Sequence, residues 1–95
     1  MNKLTSLLKE KIGKDYKEFD KVNYIGNDIP ANCHTNALKY KNAYRGFAIV
    51  QEKNNYTAIE HSFNVESGVV QEHTSYKSTP FRDKKIIKYV GRRMN

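Results

Sequence analysis

The sequence predicts an α+β domain, and three observations predict it. A leucine stripe near the N-terminus has the period of a helix, the middle of the chain alternates apolar and polar residues as strands do, and a proline-containing loop feeds a second helical pattern between them. The arrangement expected is N-terminal helices and a cysteine-bearing helix packed on a small antiparallel sheet. At 95 residues the chain suits one domain with a modest core, near the small end of what folds unaided.

The elements follow in chain order. Leu4, Leu7, Leu8 and Ile12 form the first stripe, which Gly13 stops, and such a stripe is core-facing far more often than a partner surface. A short second helical piece is expected over residues 15–19, and residues 23–30 read as loop. That loop ends in Asp28-Ile29-Pro30-Ala31-Asn32, with Asn32 able to serve as N-cap. Cys33, Ala37 and Tyr40 then recur at i, i+4 and i+7, predicting a helix to about Lys41. Residues 44–52, 56–65 and 69–75 read as an antiparallel meander, with Lys53, Asn54 and Asn55 as the first turn and Glu66, Ser67 and Gly68 as the second. Pro80 and the charged run Arg82-Asp83-Lys84-Lys85 form a connector, and residues 86–90 add an edge strand. The single domain 1–95 thus divides into a helical segment 1–22, a core 30–76 and a basic segment 77–95.

The only cysteine, Cys33, falls in the first turn of its helix. There the unpaired N–H groups and the positive end of the helix dipole favour the thiolate, which is the nucleophilic form. A lone cysteine can equally be a small apolar core residue, so its partners decide. Along residues 56–65, Ile59, His61, Phe63 and Val65 share one face, and His61 is the polar member of that face. With a two-residue turn of Glu66-Ser67, His61 lies opposite Glu72; with Ser67-Gly68, Glu72 is its diagonal neighbour. Both registers bring the two side chains to one face, whereas a three-residue loop would bring His73 there and turn Glu72 away. The bland alternatives are a core histidine satisfied by a carbonyl and a solvated strand glutamate.

The stretches Asn32-Cys33-His34-Thr35-Asn36-Ala37, Ile59-Glu60-His61-Ser62-Phe63-Asn64-Val65 and Gly68-Val69-Val70-Gln71-Glu72-His73-Thr74 resemble the three motifs of small papain-like cysteine enzymes, above all their transglutaminase-like branch. In that branch a Cys opens a helix, a His-Ala-Trp-Val-like strand follows, and an Asp-Pro-Thr-like strand end supplies an acid. The resemblance covers residues 32–74. It implies a minimal papain-like or transglutaminase-like core in which Cys33 is the nucleophile, His61 the general base and acid, and Glu72 the group that orients the imidazole. Phe63 stands where Trp is usual, Glu72 where Asp is usual and His73 where Pro is usual. Because Glu is one methylene longer than Asp, a shifted backbone is needed to hold the imidazole at the same distance.

The chemistry implied is acyl transfer. Cys33 attacks a carbonyl to give a thioester, which water or an amine resolves. The oxyanion would be met by the backbone N–H of Cys33, with a second donor from Tyr24, Asn27 or Asn32. Protease, amidase, deamidase and transglutaminase all use this constellation. The substrate expected is a protein or peptide, and no cofactor is called for. A chain this small and basic suits a phage or bacterial accessory protein acting on a host macromolecule.

Charge favours a rival class. The chain carries +7 at neutral pH with a pI near 9.5, and Lys84, Lys85, Lys88, Arg92 and Arg93 crowd the C-terminal segment around Tyr89. These are candidates for contact with nucleic acid or an acidic protein partner in a non-catalytic binding protein, although the remaining lysines are dispersed as on an ordinary solvated surface. Cys33, His34, His61 and His73 include zinc-ligand types but lack paired spacing, so no metal is expected. No glycine-rich phosphate loop is present. The single cysteine fits a reducing compartment such as the cytoplasm of a bacterium or an infected host cell. No apolar run is long enough to span a membrane, and lysine and glutamate interrupt the N-terminal leucines, unlike a signal peptide.

Overall fold

The computed structural model describes residues 2–30, 32–76 and 84–94. Its elements in chain order are α1 (Asn2–Ile12), β1 (Lys17–Phe19), β2 (Val22–Asp28), α2 (Cys33–Leu38), β3 (Ala43–Glu52), β4 (Asn55–Glu66), β5 (Val69–Thr74) and β6 (Lys85–Arg93). The α+β class is as expected. The six strands form one sheet in the order β1-β6-β3-β4-β5-β2, to which all three expected chain segments contribute. Every neighbouring pair is antiparallel except β2 and β5, so the sheet is mixed rather than purely antiparallel.

Both faces of the sheet are apolar at the centre. One face gathers Tyr44, Ala48, Val50, Phe63, Val65, Val70 and Tyr89. The other buries Ile49 and Val90 beneath Leu8 of α1, with Leu4 and Ile12 packed alongside. Leu7, the remaining member of the predicted stripe, is exposed. The helix α2 lies on this second face, over Ser62 and Asn64. A side-chain hydrogen bond joins His34 to Ser62, and the Asn64 amide donates to the carbonyls of Ala37 at 2.9 Å and Lys41 at 3.0 Å. The Asn36 amide, wholly buried, donates to Ile29 O at 2.8 Å and Thr74 Oγ1 at 2.9 Å. A six-residue helix is too short to persist by backbone bonding alone; these polar side chains fix its place.

Four sequence expectations are corrected. Residues 15–19 are not helical: a piece this short gains more by pairing with β6, and as β1 it sends Phe19 edge-on against Tyr44 at 5.2 Å and Phe63 at 6.2 Å. Among the described residues only one helix therefore precedes Cys33. Residues 23–30 are largely strand β2, parallel to β5, with a register shift between Tyr24 and Asp28 where Gly26 adopts a positive φ of 64°. The cysteine helix stops at Leu38; Lys39 and Tyr40 bond back three residues to Asn36 and Ala37, and Asn42, at φ 56°, turns the chain into β3. Finally, β6 is an interior strand between β1 and β3, since β1 takes the edge. Of the predicted connector, Pro80, Arg82 and Asp83 lie outside the described residues.

The β4–β5 hairpin adopts one of the two expected registers. Glu66 pairs with Val69, leaving Ser67 and Gly68 as the turn, at φ 50° and 78°. Positive φ at both central positions is the turn whose twist matches a hairpin. On β3 and β6, Gly46 faces Gly91 at a close backbone approach, and a Cβ on Gly46 would lie 2.0 Å from the Val90 carbonyl oxygen. Gly46→Ala is therefore expected to cost about 1–3 kcal/mol of stability through forced backbone displacement, read as a lower urea midpoint at unchanged slope.

Candidate active site

The site is built where the β4–β5 ladder ends. Pairing runs only through Asn64 and Gln71, and beyond it the two strands part. Because Val65 N–H donates to Asn42 O on the β3 side, the alternate N–H of Ser62 points towards β5 and has no ladder acceptor there. It faces the Cys33 sulfur instead and favours the thiolate. This contact anchors the thiol, and sequence reasoning missed it because a backbone donor has no side-chain signature.

The same sulfur is coupled to the His61 ring, each favouring the charged form of the other. The other side of the ring completes the line: His61 Nε2–H donates to Glu72 Oε1 at 2.5 Å. In the observed register Glu72 is the diagonal neighbour of His61. His61 is wholly buried and Glu72 is 1 % exposed, whereas Cys33 is half-buried. The structure thus brings together all three predicted residues, reaching inward from a partly exposed sulfur.

Glu72 is held by more than the histidine. Oε1 also accepts from the hydroxyls of Tyr76 at 2.9 Å and Tyr89 at 3.0 Å, whose oxygens are neighbours, and Oε2 accepts from Thr74 N–H at 3.3 Å. Burial, followed by the neighbouring Glu72 carboxylate, pushes both phenols far above their ordinary range, so both remain protonated donors. This clasp holds the Glu72 carboxylate in place. Tyr76 lies four residues after Glu72, and Tyr89 comes from the C-terminal strand. No spacing rule linked Tyr89 to the site.

The electrostatics follow from these contacts. Burial acts to raise the Cys33 thiol, but the His61 hydrogen bond and the Ser62 N–H outweigh it, and the thiol is held below its ordinary value. For His61, burial acts to lower the imidazole; the bonds to Cys33 and Glu72 oppose this and push it up to about 9. Both directions favour a thiolate–imidazolium pair at neutral pH.

The expected oxyanion donors stand differently. Tyr24 stacks on Tyr76 at 4.6 Å, and its hydroxyl accepts from Tyr76 N–H at 2.9 Å, so it supports the clasp. Asn27 is exposed on β2. Asn32 occupies the residue before α2 but makes no side-chain cap bond. The C-terminal cations do not form one patch: Lys84 pairs with Glu52 at 2.5 Å, Lys88 with Glu18 at 2.9 Å, and Arg93 donates to Asn42 at 2.7 Å, while Lys85 and Arg92 lie at opposite ends of β6. His73 stacks on Tyr40 at 3.6 Å, on the face away from Glu72. Among the described residues no group of three or more His, Cys, Asp or Glu side chains is arranged to hold a metal ion, and no helix is long and apolar enough to cross a membrane.

Comparison with protein-family models, curated proteins and solved structures gives no match. The chemistry of the site therefore rests on its own geometry.

Replacing Tyr89 by Phe keeps the ring in the core and removes one O–H from the buried carboxylate. A loss of about 1.5–3 kcal/mol is expected for a hydrogen bond to a charged group, measured by urea unfolding. A loss near zero would show that Glu72 does not depend on the clasp.

Proposed function

We propose that this protein is a cysteine-dependent hydrolase or acyl transferase with a minimal papain-like or transglutaminase-like core, working through a thioester at Cys33. The observation that carries this reading is the line of Cys33, His61 and Glu72, the last two joined by a 2.5 Å hydrogen bond, with its outer member half-buried and its inner members sealed. A cysteine and histidine serving only as core filling have no need of a buried carboxylate behind the imidazole. An imidazole that must alternate between charged and neutral forms does.

The residue roles follow from protonation. The Cys33 thiolate attacks the carbonyl carbon of a protein or peptide substrate, forming a C–S bond while the carbonyl π pair moves to oxygen. The Ser62 N–H that steadies the sulfur in the resting state and the Cys33 N–H are the nearby donors for that charge. His61, as imidazolium, then gives its Nδ1 proton to the departing amine as the C–N bond breaks. Water or a second amine attacks the thioester, His61 takes its proton, and the thiolate returns. Throughout, Glu72 fixes the ring through Nε2 and stabilises its positive form.

The pH dependence has a definite sign. Activity rises as Cys33 ionises, at a pH below that of an ordinary thiol, and falls as His61 loses its proton near pH 9, because the leaving group then lacks a donor. The test is acylation by a p-nitrophenyl ester, followed by the mass of the trapped protein and by nitrophenol release. A single acyl group on Cys33, a rate that rises with Cys33 ionisation at a pH below that of an ordinary thiol and no acylation in Cys33→Ala are expected; nitrophenolate leaves without a proton, so the limb near 9 belongs to amide substrates alone. Failure of wild type to acylate across this range would overturn the reading.

A further inference from the structure

On the sheet face that carries both helices, Arg45 of β3 and Arg92 of β6 are direct ladder partners. Like charges directly opposite one another on a sheet are unfavourable unless an anion lies between them. The fold supplies only part of one. Glu60 accepts from Arg45 at 3.0 Å and faces His34 Nε2 at 3.7 Å, while Arg92 makes no ion pair with the described residues. Lys11, from the last turn of α1, joins the two arginines around a cavity of about 350 Å³ floored by Gly46 and Phe47. A second cavity of about 410 Å³ shares Arg45 and Arg92 and continues to Arg93 and Leu38, at the end of α2. Among the described residues the groove between the helices thus gathers Lys11, Arg45 and Arg92, with Arg93 at its end, against the carboxylate of Glu60.

The groove is lined by sheet partners of the residues that flank the thiol. Arg45 is the ladder partner of Ser62, whose N–H holds the Cys33 sulfur, and His34, which faces Glu60, is the residue after the cysteine. We infer that the groove between α1 and α2 receives an acidic segment of the polypeptide substrate, with Asp or Glu carboxylates seated on Arg45 and Arg92 beside Cys33. Two guanidinium forks side by side match planar carboxylates. A single-stranded nucleic acid would require open rings for its bases; the one ring in the groove, Phe47, has the Lys11 ammonium 5.4 Å over its centroid. The choice of a peptide rests on the acyl-transfer reading.

The test uses Cys33→Ala protein, so that binding is separated from turnover, and a fluorescent oligoglutamate peptide followed by anisotropy. Arg45→Gln/Arg92→Gln is expected to weaken binding about tenfold or more, since each lost charged hydrogen bond is worth at least that factor. Lys21→Gln/Lys53→Gln removes the same charge from exposed positions elsewhere and is expected to change binding less than about threefold on the scale of exposed charges. Arg92→Gln alone, which sacrifices no ion pair among the described residues, keeps the result readable if the double variant unfolds. Equal losses in the arginine and lysine variants overturn the inference, as does tighter, arginine-dependent binding of oligodeoxythymidylate. An unactivated wild-type thiol would sink the acyl-transfer reading whatever the peptide does. An activated thiol without groove-dependent peptide binding overturns the groove alone.

Discussion

A carboxylate sealed in the core is the constraint on which the rest of the structure depends. Glu72 is almost without solvent contact, and an unpaired ion there would cost several kcal/mol (of order 3–5 when a partner is removed). The fold answers by converging on it from four directions: His61 from β4, Tyr89 from β6, Tyr76 from beyond β5, and the backbone N–H of Thr74. Three strands that are not all neighbours in the sheet are thereby tied through one side chain. The same convergence orients the imidazole, so stability and the proposed chemistry depend on the same residues.

The polar seating of α2 is the second half of the device. Asn36, Asn64, His34 and Ser62 would be poor choices for a contact meant only to exclude water, yet they hold the short helix against β4 and β5. Hydrogen bonds fix distance and direction in a way that apolar contact does not. The return is position: the first residue of α2 lies over the opening at the end of the β4–β5 ladder, where its sulfur meets one backbone donor and one imidazole. The wider groove towards α1 adds cations to that face without disturbing the buried line.

How much of this was legible in the sequence varied with the range of the interaction. The alternation around His61 and the turn before Val69 are local signals, and they carried the pairing of His61 with Glu72 to within one choice of register. The cysteine at a helix start was equally local, although the helix was shorter than its i, i+4, i+7 pattern implied, because Tyr40 is partly exposed and the chain tightens after Leu38. Strands β1 and β2 were not legible. Lys17–Phe19 is too short to show a period, and Gly26 and the asparagines of Val22–Asp28 read as loop chemistry, while partners distant in sequence hold both strands in place. Tyr89 looked like an aromatic set among cations; only the sheet order, which sets β6 beside β3, turns its hydroxyl towards Glu72. Likewise the charge cluster at 84–93 was a sequence neighbourhood rather than a surface, and Arg92 found its companions on β3 and α1.

The central claim is that the buried imidazole activates the thiol, and the most direct measurement is the pH dependence of Cys33 alkylation by iodoacetamide in wild type and in His61→Ala. The account predicts a wild-type midpoint well below the ~8.5 of a free cysteine, returning towards that value when the imidazole is removed. A midpoint near the free value in both proteins would contradict it.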